Sequence, residues 1–367
     1  MNDRKNPLRP GIKDIKPYVP GESPMEAEKK LNVAGAVKLA SNENPLGPSR
    51  KALEAINKYS KDIFVYPDKK CSELKEKIAG RLGFSPENVI VGNGSDEIML
   101  LTGLAYLSAG EEVIISRNTF SMYELVAKLM DGKIVFVDLK NNTYDLDGFA
   151  KALSGRTKLV FICNPNNPTG TMNTGKELDA FISRVPENAI ILIDEAYCEY
   201  VGSREYPDSL KYVKDGKNII VLRTFSKLYG LAGIRAGYGI AKPEIIKYLD
   251  LVRLPFSVNR MAQHAAVAAL DDRDHVKQSI KTNSEGKEYL YKELDNLGVD
   301  YLRTEANFIC INIGSNADVM FMDLMRRGMI IRPLTTFGMP ESIRVTIGTI
   351  EQNKKFIEAL RQILGKG

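Results

Sequence analysis

The 367-residue sequence predicts an α/β protein with a large domain, a smaller α+β domain and an N-terminal arm. Between residues 36 and 258, short apolar runs typical of buried strands alternate with amphipathic stretches typical of helices. Buried strands separated by helices predict a mainly parallel central sheet that helices cover on both faces. After residue 258 the pattern changes to long charged helices, which predicts the second domain.

Residues 1–35 are predicted to form an irregular arm with one short helix, packed on the small domain. Prolines interrupt this segment, and proline cannot continue a regular hydrogen-bonding pattern. They are Pro7, Pro10, Pro17, Pro20 and Pro24.

The large domain, residues 36–258, is predicted from six apolar runs. These are residues 89–91, 113–115, 134–137, 159–162, 190–193 and 219–222. Between the first two runs, Ile98, Leu101 and Ala105 have helical spacing and fall on one face. In such sheets ligands bind at the carboxyl ends of the strands, and the motifs considered below follow predicted strands.

The small domain, residues 259–367, is predicted from a different pattern. A long charged helix should span residues 274–297, followed by strands near residues 307–313 and 342–346. A final helix should run from residue 351 to about 364. Strands and helices in separate blocks are typical of an α+β unit.

The composition is that of an ordinary globular protein, with 44% hydrophobic and 26% charged residues. No run approaches the roughly 20 apolar residues of a membrane span. The first residues lack the apolar segment of a secretory signal, so we expect a cytoplasmic protein. The net charge of +5 is spread without a basic tract, which favours anionic metabolites over nucleic acid as partners.

Cysteine and histidine usage argues against disulfides and metal sites. The four cysteines are widely separated, without a Cys-x-x-Cys pair, so buried free thiols are expected. Only two histidines occur, His264 and His275, and they lack metal-ligand spacing. No metal is therefore predicted.

Lys227 is the first candidate catalytic residue. It follows the apolar run 219–222 and should lie on a loop just past a buried strand. Burial there would lower its pKa and supply the neutral amine that attacks a carbonyl. Ser226 and Arg235 offer a hydroxyl and a guanidinium for a phosphate ester. An imine-forming lysine beside a phosphate socket predicts pyridoxal 5'-phosphate (PLP) as cofactor.

Asp194 directly follows another predicted strand. An acid at a buried strand end is costly unless it pairs with a cation, and the pyridinium nitrogen of PLP is such a cation. Tyr197 could donate a hydrogen bond to the phenolate oxygen of the ring. Alternatively, Asp194 caps a helix and Tyr197 packs against it. The presence of Lys227 favours the cofactor interpretation.

The turn at residues 164–170 also follows a strand. Its prolines and asparagines are typical of turns, so a purely structural turn is the alternative interpretation. In the functional interpretation, the amide of Asn167 donates to the same phenolate oxygen as Tyr197. Two donors at that oxygen would stabilise its negative charge.

The segment Gly92-Asn93-Gly94-Ser95-Asp96-Glu97 joins a strand to a helix. Glu97 occupies the place of the third glycine of a dinucleotide fingerprint, which disfavours that kind of site. Free amides at a helix N-terminus still suit a single phosphate. A capped helix with turn glycines is the alternative.

Two tyrosines are aromatic candidates. Tyr123 follows a predicted strand and could stack on a pyridine ring, although a core aromatic at the start of a helix fits nearly as well. Tyr66 lies in the turn Val65-Tyr66-Pro67-Asp68 and has no role that pattern alone can assign.

Taken together, these motifs resemble those of the fold-type I PLP-dependent aminotransferases, and more closely those of the histidinol-phosphate aminotransferases. The resemblance runs almost from end to end. It is carried by residues 16–21, 39–45, 66–68, 92–97, 166–170, 194–197, 224–238, 253–256 and 343–349. The lysine, aspartate and asparagine motifs are highly specific for the superfamily. Residues 16–21 and the residues around Lys227 point to the histidinol-phosphate aminotransferases within it.

The resemblance implies a set of cofactor contacts. Lys227 would hold PLP covalently and later move a proton, Asp194 would pair with the pyridinium, and Tyr123 would stack on the ring. Asn167 and Tyr197 would contact the phenolate oxygen. The phosphate would lie near Gly94, Ser95, Asp96 (through its backbone amide), Thr224, Ser226 and Arg235. Tyr66 would reach the phosphate of a neighbouring subunit, which implies a homodimer with active sites that share residues.

It also implies substrate contacts. Arg344 and Arg332 would bind the anionic end of the substrate, Asn42 would line the substrate site, and Tyr18 on the arm would close over it. A planar guanidinium suits both a carboxylate and a phosphate. For Arg332 and Tyr18, a surface ion pair and a packed aromatic are the alternatives.

The reaction so implied is transamination of L-histidinol phosphate with 2-oxoglutarate, giving imidazole-acetol phosphate and L-glutamate, a step of histidine biosynthesis. An aromatic amino acid aminotransferase and a threonine-phosphate decarboxylase are the nearest alternatives. A non-catalytic PLP-binding regulator is disfavoured, because such proteins carry a DNA-binding domain for which this chain leaves no room.

Overall fold

The computed structural model describes residues 8–13, 15, 17, 25–26, 29 and 35–365. Its first half contains β1 (Val37–Lys38), α1 (Arg50–Tyr59), α2 (Ser72–Leu82), β2 (Val89–Gly92), α3 (Ser95–Tyr106), β3 (Glu112–Ser116), α4 (Met122–Leu129), β4 (Lys133–Val137), β5 (Leu139–Lys140), β6 (Thr143–Tyr144), α5 (Leu146–Ala152), β7 (Thr157–Cys163) and α6 (Gly175–Ile182). The second half contains β8 (Ile190–Asp194), α7 (Leu210–Lys214), β9 (Ile219–Thr224), β10 (Gly237–Ile240), α8 (Pro243–Val252), α9 (Arg260–Leu270), α10 (Arg273–Leu297), β11 (Asp300–Tyr301), β12 (Phe308–Asn312), α11 (Ala317–Met325), β13 (Met329–Ile330), β14 (Arg332–Pro333), β15 (Ser342–Thr346) and α12 (Ile350–Ile363).

The central sheet has seven strands in the order β2-β10-β9-β8-β7-β3-β4. Pairing is parallel from β9 through β4, and β10 runs antiparallel to both of its neighbours. The α/β class, the mainly parallel sheet and all six strands expected from the apolar runs are thus confirmed. The central strands are apolar on both faces because helices cover both sides.

Strand β10 was not expected from the sequence. Its residues, Gly237-Tyr238-Gly239-Ile240, lack the continuous apolar run of the other strands. Glycine is required at position 237, because an added Cβ would lie only 2.4 Å from the backbone nitrogen of Ser95. This close approach brings the N-terminus of α3 against the strand.

A second sheet, in the order β11-β12-β15-β14, is antiparallel throughout. It packs with α10, α11 and α12 around a hydrophobic cluster of its own, which includes Leu294, Ile309, Val345 and Phe356. The expected smaller α+β unit is therefore present, and the predicted long and final helices lie within one residue of α10 and α12.

Division of the chain into residues 1–35, 36–258 and 259–367 stays a proposal. Two hydrophobic clusters support a large and a small unit. Helix α9 lies after the proposed boundary, yet its buried face packs on the large cluster, against α1. Leu39, before the boundary, packs in the small cluster, because β1 pairs with β13.

The packing of the arm on the small domain stays a prediction, because only part of residues 1–35 is described. At residues 8–13 the arm contacts α4 of the large unit. Arg9 donates to the carbonyl of Leu129 at 2.8 Å and to the carboxylate of Asp131 at 2.7 Å. A cation is favoured there because carbonyl groups at a helix C-terminus carry partial negative charge.

The strand ends set the position of the candidate site. The loops after β2, β3, β7, β8 and β9 emerge at one edge of the sheet, where ligands of parallel sheets bind. The small unit lies against the same edge, since Arg344 of β15 bonds to Asn167 in the loop after β7. Within the described part of the chain, the helices are too short or too polar to cross a membrane.

Candidate active site

One cavity lies at this edge, between the central sheet and the small unit. Most of the predicted site residues line it: Asn42, Ser95, Asp96, Asn167, Asp194, Tyr197, Thr224, Ser226, Lys227, Arg235, Arg332 and Arg344. Residues from four loops of the large sheet, from the segment after β1 and from β14 and β15 thus meet at one place.

Lys227 lies on the loop after β9, with its side chain half-buried in the cavity wall. Its Nζ donates to the carbonyl of Ser41 at 3.0 Å and lies 5.9 Å from the centre of the Tyr197 ring. Burial, and after it the positive charge of Arg344, lowers the pKa of Lys227 to about 8. A useful fraction of the side chain is therefore the neutral, nucleophilic amine near neutral pH.

Asp194 ends β8 and is only 4% exposed. Its Oδ2 accepts from the hydroxyl of Tyr123 at 2.7 Å and its Oδ1 from the backbone N–H of Ala196 at 3.1 Å. Burial raises the pKa of Asp194 to about 6. Within residues 35–365 no basic side chain forms an ion pair with it, so a bound cation would fit this carboxylate.

Tyr123 does not lie where it was predicted. Its ring is fully buried and stacks on Phe161, with ring centres 4.8 Å apart, rather than lining the cavity. Phe120 lines the cavity instead. Helix α4 begins at Met122, so Tyr123 in its first turn points back towards the sheet, while Phe120 on the preceding loop reaches the opening. The prediction of a stacking role for Tyr123 is therefore wrong.

Tyr197 and Asn167 lie on the same side of the cavity. The Tyr197 hydroxyl accepts from Nδ2 of Asn42 at 3.0 Å, which leaves its own proton to donate. The side-chain oxygen of Asn167 accepts from Nη1 of Arg344. Because an arginine can only donate, the amide N–H groups of Asn167 must point the other way, as donors to a ligand.

The predicted phosphate site lies at the N-terminus of α3. Gly94 stands at the N-cap position and offers no side-chain cap to the first N–H groups of the helix. Gly94 has a φ of +81°, which favours glycine, and an added Cβ would displace the Arg235 guanidinium, whose Nη2 would lie 2.3 Å away. Arg235 donates to the hydroxyl of Ser226 at 3.4 Å and to the carboxylate of Asp96 at 3.2 Å. Helix amides, a hydroxyl and a guanidinium here suit one phosphate.

Arg332 and Arg344 face each other across strands β14 and β15 and are both buried. Arg344 also donates to the carbonyl of Ala40 at 2.7 Å. The ring of Phe337 lies about 6 Å from both guanidinium carbons, at 5.9 Å and 6.0 Å. Two guanidinium groups at one end of the cavity suit an anionic ligand.

Among the predicted residues that the structure describes, Tyr66 also lies outside this cavity. Tyr66 is 75% exposed, and its ring stacks on Phe256 with centres 4.6 Å apart. Its expected role at a neighbouring subunit stays a prediction. Tyr18 lies outside the described residues.

Sequence reasoning missed Phe120, Cys163 and Phe337 as cavity-lining residues. Phe120 had a signal, since it is the first aromatic residue after β3. Cys163 ends β7, and burial raises the pKa of its thiol, so it is a neutral wall residue. Phe337 lies on a short turn after β14 and had no sequence signal. In the described part of the chain, no cluster of three or more metal-ligating side chains occurs.

Comparison with known proteins gives a consistent result. The family described as aminotransferase class I and II matches residues 34–360. The histidinol-phosphate aminotransferase of Moorella thermoacetica is 50% identical over 357 residues, which cover 97% of this chain and 92% of that protein. The enzyme of the same description from Caldicellulosiruptor saccharolyticus is 43% identical over 97% of this chain and 100% of its own.

Solved structures agree. The histidinol-phosphate aminotransferase of Sinorhizobium meliloti, crystallised in complex with pyridoxal 5'-phosphate, superimposes with a TM-score of 0.89 at 27% identity, over 98% of both chains. The aspartate aminotransferase of Thermus thermophilus with maleate gives a TM-score of 0.84 at 21% identity over 98% of this chain and 100% of its own, which shows the shared fold alone.

Proposed function

The chain belongs to the class I and II aminotransferases, and we propose that it catalyses transamination of L-histidinol phosphate with 2-oxoglutarate, giving imidazole-acetol phosphate and L-glutamate. The likeness to histidinol-phosphate aminotransferases over nearly the whole chain supports this substrate pair. The observation that carries the chemistry is the presence, in one cavity, of the half-buried Lys227, whose pKa is lowered, and the buried carboxylate of Asp194, which has no ion-pair partner within residues 35–365.

The cavity residues fit PLP as the cofactor. Gly94, Ser95, Ser226 and Arg235, with Thr224 beside them, would hold the phosphate. Asp194 would pair with the ring nitrogen, and Phe120 would cover a face of the ring. Once bound, PLP supplies an electron sink that stabilises negative charge on the substrate carbon bearing the nitrogen.

Lys227 has two tasks in this proposal. Its neutral amine would hold PLP covalently. Once free of the cofactor, the same amine would accept the proton from the substrate carbon that bears the nitrogen. A pKa of about 8 suits both tasks, because the side chain can accept and return a proton near neutral pH.

Tyr197 and Asn167 would donate to the phenolate oxygen of the ring. Their positions are held from the other side, by Asn42 on Tyr197 and by Arg344 on Asn167. Donors that are already in place need no rearrangement when negative charge develops at that oxygen.

Arg344 and Arg332 would bind the anionic part of each substrate. Histidinol phosphate has no α-carboxylate, whereas glutamate has two carboxylates, so one site must accept a phosphate and a carboxylate in turn. The planar fork of a guanidinium bonds both groups in a bidentate manner.

The active unit is proposed to be a homodimer in the cytoplasm. An exposed apolar surface includes Phe64 (84% exposed), Tyr66, Leu254 and Phe256. A surface of this kind is typical of a protein–protein contact. In a dimer, Tyr66 would reach the cofactor phosphate of the partner.

Steady-state kinetics with 2-oxoglutarate as acceptor test the substrate assignment. We expect kcat/KM for histidinol phosphate to exceed that for phenylalanine, with no release of carbon dioxide from threonine phosphate. Higher kcat/KM for phenylalanine would indicate an aromatic aminotransferase. Carbon dioxide release from threonine phosphate would indicate a decarboxylase.

A further inference from the structure

Tyr123 is a fully buried polar residue directly behind the cavity. Its ring lies between Phe161, on which it stacks, and Phe120, which it meets edge-on with ring centres 5.7 Å apart. Phe120 lines the cavity, whereas Tyr123 lies behind it with a fully buried ring.

Its hydroxyl nevertheless bonds to a carboxylate that lines the cavity. It donates to Oδ2 of Asp194 at 2.7 Å, a short distance typical of a hydrogen bond to a carboxylate. The other carboxylate oxygen is held by the N–H of Ala196. With one donor on each oxygen, the carboxylate plane is fixed, and the lone pairs that remain are those available to a ligand in the cavity.

We propose that Tyr123 is a positioning residue for the cofactor, which orients Asp194 and keeps it ionised so that it pairs with the pyridinium nitrogen. This inference rests on the proposed function. Burial works against an ionised Asp194, and the hydrogen bond from Tyr123 opposes that effect. A protonated Asp194 would leave the ring nitrogen without a negative partner.

Tyr123→Phe tests the role, since it removes one oxygen and keeps the packed ring. Tyr144→Phe is the matched control. Tyr144 is also a buried tyrosine, but its hydroxyl bonds to Thr119 at 2.6 Å instead of to Asp194. Thermal melting of both variants shows that they fold and measures the general cost of losing a buried hydroxyl.

The first readout is PLP affinity, measured by fluorescence after removal of the cofactor from purified enzyme. We expect Tyr123→Phe to raise the dissociation constant about tenfold, as for loss of a hydrogen bond to a charged group. Tyr144→Phe should leave it nearly unchanged. Equal affinities of wild type and Tyr123→Phe would overturn the inference.

The second readout separates positioning from packing. An analogue of PLP with carbon in place of the ring nitrogen cannot pair with Asp194. Wild type and Tyr123→Phe should therefore bind the analogue equally, and Tyr123→Phe should have no further effect on PLP affinity in an Asp194→Asn background. If Tyr123→Phe also lowered the affinity for the analogue tenfold, Tyr123 would have a packing role only, and the proposal would be overturned.

These binding experiments use no amino donor. If wild type binds PLP but does not react with histidinol phosphate, the proposed substrate is wrong while the Tyr123 inference can still hold. If PLP binds normally to both proteins and histidinol phosphate reacts, the Tyr123 inference fails alone.

Discussion

The two ends of the cavity differ in how their side chains are held. At the cofactor end, the contacts of Asp96, Asp194, Ser226 and Arg235 are made to other residues of the large unit. At the substrate end, Arg344 lies on the small sheet but bonds to Asn167 of the large unit and to Ala40. The phosphate and ring-nitrogen contacts are therefore held within one unit, whereas Arg344, and through it the cofactor donor Asn167, depends on the contact between the two units.

This difference has a consequence for function. A site held within one sheet can keep PLP through the whole reaction cycle. A site built across two units can adjust to substrates of different length, such as histidinol phosphate and glutamate. Changes at the cofactor end should thus affect every substrate, and changes at the substrate end should affect binding of the anionic groups.

The largest effect is expected at the cofactor end, from Lys227→Ala. Loss of the amine should lower kcat about 10⁴-fold or more, because it removes both the covalent attachment of PLP and the proton acceptor. The visible absorbance of the lysine-bound cofactor should disappear. Lys287→Ala is a control, since Lys287 is a partly buried lysine outside the cavity. An unchanged visible band in Lys227→Ala would refute the assignment.

Asp194→Ala should act on the same end with a smaller effect. We expect PLP to remain partly bound while proton removal slows about 10²- to 10³-fold, since an unprotonated ring is a poor electron sink. Single-turnover absorbance with saturating PLP measures this rate. Asp179→Ala, at an aspartate outside the cavity that bonds Lys211 and Tyr212, is the control. Near-normal rates in Asp194→Ala would rule out pairing with the ring nitrogen.

Arg344→Ala tests the substrate end. Loss of its charge-assisted bonds should cost about 2–3 kcal/mol of transition-state stabilisation, or about 30- to 150-fold in kcat/KM, for histidinol phosphate and glutamate alike. PLP affinity should change far less than kcat/KM. If kcat/KM fell by less than a few fold for both substrates, the anion-binding residue would lie elsewhere, and the contrast between the two ends of the cavity would fail.

The smallest effect is a pH dependence at Lys227. Its pKa is lowered to about 8, so the fraction of the side chain that is a neutral, nucleophilic amine rises as the pH rises through 8 and falls as the pH drops below it. The rate at which PLP reacts with the cofactor-free protein should rise with pH and level off above about pH 8. A rate that kept rising towards the ordinary lysine pKa near 10.4 would show that the side chain is not desolvated.

The cofactor end could be predicted from the sequence because each of its loops follows an apolar strand. Lys227, Asp194 and Asn167 could be placed in one site from that rule alone, since parallel strands end at one edge. Pairing of Arg332 with Arg344 depends on the register of two short antiparallel strands, which an apolar pattern does not specify. Their roles were implied by family resemblance instead.

The errors have local physical causes. Tyr123 and Phe120 differ by three positions, and the start of helix α4 decides which of them reaches the cavity. Strand β10 was missed because its two glycines serve close contacts with Ser95 and Ile90 rather than apolar burial.

The most direct test is the half-reaction followed by absorbance. PLP-loaded enzyme would be mixed separately with histidinol phosphate, glutamate, phenylalanine and threonine phosphate, and conversion to the pyridoxamine form would be timed. The proposed function predicts fast conversion with histidinol phosphate and glutamate and slow conversion with phenylalanine. Preference for phenylalanine, or no conversion with any donor, would contradict it.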